Sequence, residues 1–293
     1  MFENHFEFEA IGTKWVLDFG TSIKDSKVNL IFDQIKNRVE DFEAKYSRFR
    51  EGSLVSEMAL SPSLYQLQAD AKGMFDLYFD LYNLTDGLFT PLMGQSLEDA
   101  GYDSSYSLRP KEVISPPPKL HDVAVYRFPE LITKEKLKMD FGACGKGHII
   151  DLVGKIFNDH FVADYCIDAG GDLLFKTSSQ KALRIGLEDP TNSEKAIGVC
   201  ELITGSLCGS AGNRRNWGKY NHIINPKTVL SPENILATWV FAEKAILADA
   251  IATCLFFVSP ELLKEKYSFE EVILYSDFTI SKSENFPGTL FGV

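Results

Sequence analysis

Apolar and polar residues alternate loosely through FEFEAIGTKWVLDF, Phe6 to Phe19, and a period of two predicts strand. The period then lengthens: Val28, Ile31, Phe32, Ile35, Val39 and Phe42 recur at helical spacing. YSRFREGSLVSEMA follows as a polar turn region. Leu64, Leu67, Met74, Leu77, Tyr78 and Leu81 predict a second amphipathic helix, stopped at TDG by Gly87. Gly101 to Leu120 is polar, with Pro110 and the run Pro116 to Pro118, and reads as a loop. The middle predicts strand, glycine turn, helix, strand. LKMDF leads into GACGKG, Ile149, Ile150, Leu152, Val153, Ile156 and Phe157 form an apolar helix face, and DYCIDAGGDLLF returns as a buried strand broken by Gly170 and Gly171. LRIGLED, GVCELITGSLCGS and ATWVFAE add strands, and ILADAIATCLFFV, Ile246 to Val258, is the last clear helix. Helices and strands mix without strict βαβ alternation, which predicts an α+β fold. No composition shift or internal repeat divides the chain, so residues 1–293 are expected to form a single domain.

That last helix poses the chemical question. It is apolar almost throughout, yet it holds Asp249 and Thr253 four residues apart, on one helical face. Burying an unpaired carboxylate is strongly unfavourable, so Asp249 needs a partner or a cation. A carboxylate and a hydroxyl in this arrangement can hold a hard cation such as Mg²⁺, which prefers oxygen donors and shares its shell with phosphates. The alternative is a helix with one half-exposed polar edge.

Composition narrows the classes. An apolar fraction of 45% and a charged fraction of 24% over 293 residues describe an ordinary globular chain. A net charge of -11 argues against a nucleic-acid partner, which would need a basic face. The start MFENHFEFEAIG lacks a basic segment followed by a long apolar one, and Ile246 to Val258 is too short and too polar to span a membrane. Five cysteines without a CxxC pair argue against a disulfide framework or a zinc site. A cytoplasmic protein is expected.

Other candidates are weaker alone. GACGKG sets Gly142, Gly145 and Gly147 around Lys146, between a predicted strand and helix. Such a turn can bring backbone amides to a phosphate, or can simply reverse the chain. AGGDLL places Asp172 where the backbone passes close to a ligand, or in a self-capped bulge. His222 in NHIINPKT is a candidate proton acceptor or a structural histidine.

Taken in order, these segments resemble the ApbE family of FAD:protein FMN transferases along nearly the whole chain. IGTKW is similar to its opening MGT motif, YSRFREGSLVS to FSRF/YxxxSxLS, and TDGLFTPLMG to (S/T)xGxFDPTVG. MDFGACGKGHIID resembles LDLGGIAKGYAVD, IDAGGDL resembles VNLGGDI, and IGLEDP resembles IGIxDP. NHIINPKT is similar to SHIIDPRTG and LADAIAT to LADALAT. The resemblance implies an architecture related to the T-fold, with largely antiparallel sheets and packed helices. It implies cleavage of the FAD pyrophosphate and attachment of FMN by a phosphoester to a Thr or Ser of a target flavoprotein, with release of AMP. Mg²⁺ would be held by Asp249, Thr253 and the backbone carbonyl of Gly145. Gly142, Gly145, Lys146, Gly147, Asp151, Gly171, Asp172, Ser210 and His222 would line the FAD site. His222 and Asp249 would be catalytic, and the target would be cytosolic or face the cytosol.

Thr90 replaces the family's Asp, Gly145 its Ala, Asn225 its Asp and Val229 its Gly, and CGSAGNRRNW departs from ATSGDYER. None of these removes a proposed metal ligand. Two alternatives stay open: an FAD pyrophosphatase that passes FMN to water, and a non-catalytic FAD-binding protein.

Overall fold

The computed structural model describes residues 2–20, 25–179, 181–213 and 215–291. The N-terminal alternation resolves into two strands, β1 (Asn4–Ala10) and β2 (Thr13–Gly20), because Ile11 and Gly12 adopt left-handed backbone, φ 53° and 66°, and reverse the chain. Helix α1 (Asp25–Tyr46) buries Val28, Ile31, Ile35, Val39 and Phe42, the face its spacing predicts. Part of the expected polar turn is instead α2 (Leu54–Leu60). Ser53 caps it, accepting from the Ser56 amide at 3.0 Å, and Val55 and Met58 are buried. The run from Leu64 to Leu81 is not one helix. Leu64–Gln66 is a strand, β3, and α3 begins only at Lys72 (Lys72–Leu84), because Leu64 pairs with Ile132 across a neighbouring strand. Gly87, at φ 81°, ends that helix as predicted.

Beyond it lie α4 (Gly94–Asp99), the expected loop, α5 (Leu120–Val123), β4 (Ala124–Arg127) and β5 (Glu130–Thr133). LKMDF is not a strand. It has no ladder partner: the Leu137 amide donates to the Met58 carbonyl at 2.9 Å and the Asp140 amide to Pro91 at 2.7 Å. Helix α6 (Gly145–Asp159) follows the glycine turn. DYCIDAGGDLLF is a hairpin rather than one strand, with β6 (Asp164–Ala169) and β7 (Asp172–Lys176) joined by Gly170 and Gly171. Next come β8 (Leu183–Asp189), β9 (Asn192–Leu202), β10 (Thr204–Ala211), β11 (Asn216–Trp217), β12 (Tyr220–Asn221) and β13 (Ile235–Ala242). The last predicted helix is shorter than its apolar run, α7 (Ala245–Cys254), and a short α8 (Pro260–Lys264) follows it. The chain closes with β14 (Glu270–Tyr275), β15 (Ile280–Lys282) and β16 (Gly288–Leu290).

Eight strands form the main sheet in the order β1-β2-β6-β7-β10-β13-β14-β15, each antiparallel to its neighbours. The α+β expectation holds. Sequence neighbours on these strands face opposite ways, as the pleat requires. Ile167, Leu174, Cys208, Val240 and Ile273 join the core shared with α1, α3, α6 and α7. Cys166, Leu173, Leu207, Trp239 and Val272 join a second core with the three-stranded sheet β16-β9-β8. All five cysteines are buried free thiols.

Helices α6 and α7 cross so closely that a Cβ at Gly147 would stand 2.2 Å from the Ala245 carbonyl oxygen and 2.8 Å from Asp249 Cβ. At Gly145 the nearest atom, on Phe42, would be 3.5 Å away, so the alanine usual in the family fits there. Gly147→Ala is therefore expected to cost roughly 2–3 kcal/mol through forced separation of the helices. Gly145→Ala should be neutral or stabilising by up to about 1 kcal/mol. Urea unfolding of both variants checks this, and equal costs would refute the crossing as drawn.

Candidate active site at the crossing of α6 and α7

Lys244, just before α7, offers its first turn no side-chain cap. Asp151 supplies one from α6: its two carboxylate oxygens accept the amides of Ala245 at 2.8 Å and Ile246 at 3.0 Å. The resemblance implied a place for Asp151 in the nucleotide site. Its oxygens are instead committed to positioning α7. The Thr238 hydroxyl fixes the same helix to β13 by donating to the Ala252 carbonyl at 2.7 Å.

One turn beyond the cap, Asp249 is 4% exposed. Its Oδ2 accepts the Gly147 amide at 2.8 Å and its Oδ1 lies 3.9 Å from Lys146 Nζ. Burial pushes this carboxyl up, opposed by the Lys146 charge and the Gly147 amide. Lys146 also ion-pairs with the buried Asp172, whose second oxygen accepts the Gly209 amide at 3.2 Å. Four separate segments thus meet at one point: GACGKG, AGGD, CGSAG and LADAIAT. Thr253, half-buried, stands one turn further along the Asp249 face, and its hydroxyl makes no hydrogen bond among the described residues. A carboxylate, a free hydroxyl and nearby backbone carbonyls form an oxygen-only donor set that fits a hard cation. Among the described residues no group of three or more His, Cys, Asp or Glu is placed to hold a metal.

The glycines act differently from the expected phosphate cradle. Gly142 donates to Asp140 at 2.8 Å, Gly145 to the Phe141 carbonyl at 2.7 Å, Gly147 to Asp249 and Gly171 to Asp168 at 2.8 Å. Their amides are engaged within the protein, so the turn presents Lys146 rather than a ring of free N–H groups.

His222 follows β12, and its amide donates to the Arg215 carbonyl at 3.2 Å. Its Nδ1 is buried with no hydrogen-bond partner among the described residues. Burial lowers its pKa to about 4, helped by the charges of Arg215 and Lys146, so the ring is neutral at physiological pH. The influence of Lys146 and Asp140 on that ring puts it in the field of the glycine turn. Ser210, on β10 opposite Thr238, is partly exposed with its hydroxyl unbonded among the described residues. The departures are accommodated unevenly. Thr90 accepts the Leu92 amide at 3.2 Å, and Asn225 accepts the amides of Lys227 and Thr228 at 2.9 and 3.2 Å, as aspartates would. Val229 keeps a left-handed backbone, φ 52°, where the family has glycine.

One cluster escaped sequence reasoning. Arg48, nearly buried, donates to Asp140 at 2.7 Å and to the Tyr102 carbonyl at 2.7 Å, while its Nη1 has no hydrogen-bond partner among the described residues. Arg215 bonds the Tyr102 hydroxyl, and Trp217 stacks on that ring at 5.9 Å. The available signal was an arginine inside YSRF and an aspartate two residues before GACGKG. A cleft of about 1150 Å³ lies elsewhere, between the end of α7, α8 and β14–β15, and none of these residues lines it. The convergence of buried charge at the helix crossing is the better guide to chemistry.

The sequence profile of the ApbE family matches residues 11–271. The FAD:protein FMN transferase of Escherichia coli (strain K12) is 29% identical over 147 residues, covering 47% of this chain and 42% of that protein. The protein of the same name from Rhodobacter capsulatus is 24% identical over 189 residues, 60% of this chain and 36% of its own. The chain thus spans less than half the length of these curated relatives. The crystal structure of the ApbE protein from Thermotoga maritima superposes with a TM-score of 0.83 at 21% identity, covering 96% of this chain and 97% of the other. The flavin transferase ApbE from Vibrio cholerae gives 0.80 at 17% identity, covering 97% of each chain. At such identities the likeness establishes the shared fold.

Burial raises the Asp151 carboxyl from 3.8 to about 6 against the pull of its two amide hydrogen bonds. An acid raised in this way holds its proton more readily folded than unfolded. Its contribution to stability therefore falls as pH climbs between those values and levels off above them. The unfolding free energy of wild type relative to Asp151→Asn should decline by roughly 1–3 kcal/mol across that interval. Urea titrations at stepped pH measure it, and a flat or rising difference would contradict the assignment.

Proposed function

Because this chain belongs to the ApbE family, we propose that it is an Mg²⁺-dependent FAD:protein FMN transferase working as one unit over residues 1–293. It would cleave the pyrophosphate of FAD, join FMN by a phosphoester to a Thr or Ser hydroxyl of a target flavoprotein, and release AMP. The observation that carries this reading is the buried Asp249 carboxylate. It is pinned to the glycine turn by the Gly147 amide and followed one turn on by the Thr253 hydroxyl, which makes no hydrogen bond among the described residues.

Asp249 and Thr253, with the Gly145 carbonyl, would hold Mg²⁺. The bound ion would supply Lewis-acid polarisation of a phosphoryl oxygen and charge stabilisation as the P–O bond breaks. The remaining work falls to the chain. Lys146, on the first turn of α6, points its ammonium at the same place and can pair with a phosphate oxygen. Asp172 orients Lys146 and is itself fixed by the Gly209 amide. His222, neutral and with Nδ1 unsatisfied, can accept the proton of the target hydroxyl as that oxygen attacks phosphorus. Ser210 would stand at the edge of the nucleotide site. Asp151 supports the site from beneath by setting the start of α7.

The target is proposed to lie in or face the cytosol; the buried free thiols of this chain are compatible with a reducing compartment. No helix among the described residues is long and apolar enough to cross a membrane. The deciding measurement is incubation with FAD and Mg²⁺, with and without a flavoprotein carrying an acceptor Thr, following AMP and the intact mass of the acceptor. AMP with an added FMN mass on the acceptor is expected. AMP with only free FMN would make the protein a pyrophosphatase, and FAD binding without AMP would leave a non-catalytic binder. Asp249→Ala should lower turnover on the order of a hundredfold or more with an unchanged circular dichroism spectrum. Full activity in that variant would overturn the metal assignment.

A further inference from the structure

The site holds one ammonium between two carboxylates. Lys146 Nζ ion-pairs with Asp172 and lies 3.9 Å from Asp249 Oδ1. The Asp172 and Asp249 side chains are only 2% and 5% exposed, against 29% for Lys146. Neither carboxylate is free to turn, because Asp172 is held by the Gly209 amide at 3.2 Å and Asp249 by the Gly147 amide at 2.8 Å. The flexible member of the trio is the four-carbon stem of the lysine.

From this geometry we propose that Lys146 is a resident counter-ion, paired with Asp172 yet within 3.9 Å of Asp249 Oδ1 while no divalent ion is there, and drawing away from Asp249 onto Asp172 alone when one binds. The inference rests on the metal assignment made above. Asp249 needs positive charge in either state, since an uncompensated buried carboxylate is strongly unfavourable. An ammonium so close to Asp249 Oδ1 would also face a divalent ion on that oxygen across a few ångströms of low-dielectric space, where like charges repel strongly. The two cations therefore compete for Asp249. Asp172 is the second anchor that lets the ammonium leave without losing its partner. Lys146 then weakens metal binding in the empty site, and Asp172 relieves that competition.

The two residues are thus expected to act with opposite sign. In the full chain without FAD, Mn²⁺ binding is followed by electron paramagnetic resonance of the free ion, and thermal unfolding is recorded without metal. Lys146→Met should tighten Mn²⁺ binding about tenfold, because the competitor is gone. The same variant should lower the metal-free Tm, because two carboxylates lose their counter-ion. Asp172→Asn should loosen Mn²⁺ binding several-fold, because the ammonium then has only Asp249 to pair with. A purely structural ion pair would weaken binding in both variants. Weakening or no change in Lys146→Met, or a shift in the same direction in both, overturns the proposal while leaving the metal site standing. Wild type that takes up no more Mn²⁺ than Asp249→Ala overturns the metal assignment and this inference with it. Lys146→Gln replaces Lys146→Met should the latter not fold.

Discussion

Everything at the candidate site depends on the absence of one side chain. With only hydrogen at position 147, α6 approaches α7 closely enough for the Gly147 amide to reach the Asp249 carboxylate. That contact fixes the depth of Asp249 and brings Lys146, its sequence neighbour, alongside. It also sets the distance across which Asp151 can cap the start of α7. A helix whose own N-cap residue offers no side-chain bond is thereby completed by a carboxylate two turns along another helix, and the two elements become one rigid mount.

The mount solves an electrostatic problem that the apolar surroundings create. Asp172 and Asp249 are both nearly excluded from water, which penalises their charged forms. Backbone amides and one shared lysine compensate them in part, leaving the cluster with an excess of one negative charge. A pocket of this kind favours an additional cation, and oxygen donors favour a hard one. His222 lies on the other side of the balance: the positive charges near it, together with burial, keep its ring neutral. One environment thus holds a buried carboxylate against a backbone amide and a lysine while keeping an imidazole uncharged.

Much of this was legible in the order of residues. The 3.6 period of Val28 to Phe42 gave α1, and Gly87 marked the end of α3. The Asp249 and Thr253 pair stood out because a carboxylate in an apolar helix requires a reason. What escaped was tertiary. Leu64 looks helical until Ile132, 68 positions away in sequence, offers it a strand partner. LKMDF has the composition of a strand but no edge to pair with. Asp151 looks like a ligand from its place in the motif, and only the uncapped start of α7 shows why its oxygens are occupied. GACGKG looks like a phosphate cradle until each glycine amide is traced to an acceptor that the local pattern could not reveal.

The contacts that make the site are long in sequence: Gly147 to Asp249 spans 102 residues, Asp151 to Ala245 spans 94, and Arg48 to Asp140 spans 92. During synthesis the glycine turn leaves the ribosome well before its partner helix. At translation rates of about 5–20 residues per second, the half-built site waits on the order of five to twenty seconds for Asp249 to emerge. Throughout that interval Asp151 has no helix to cap and Lys146 no second carboxylate. The contacts that join the glycine turn to α7 can therefore form only after residues 245–249 have emerged, late in synthesis.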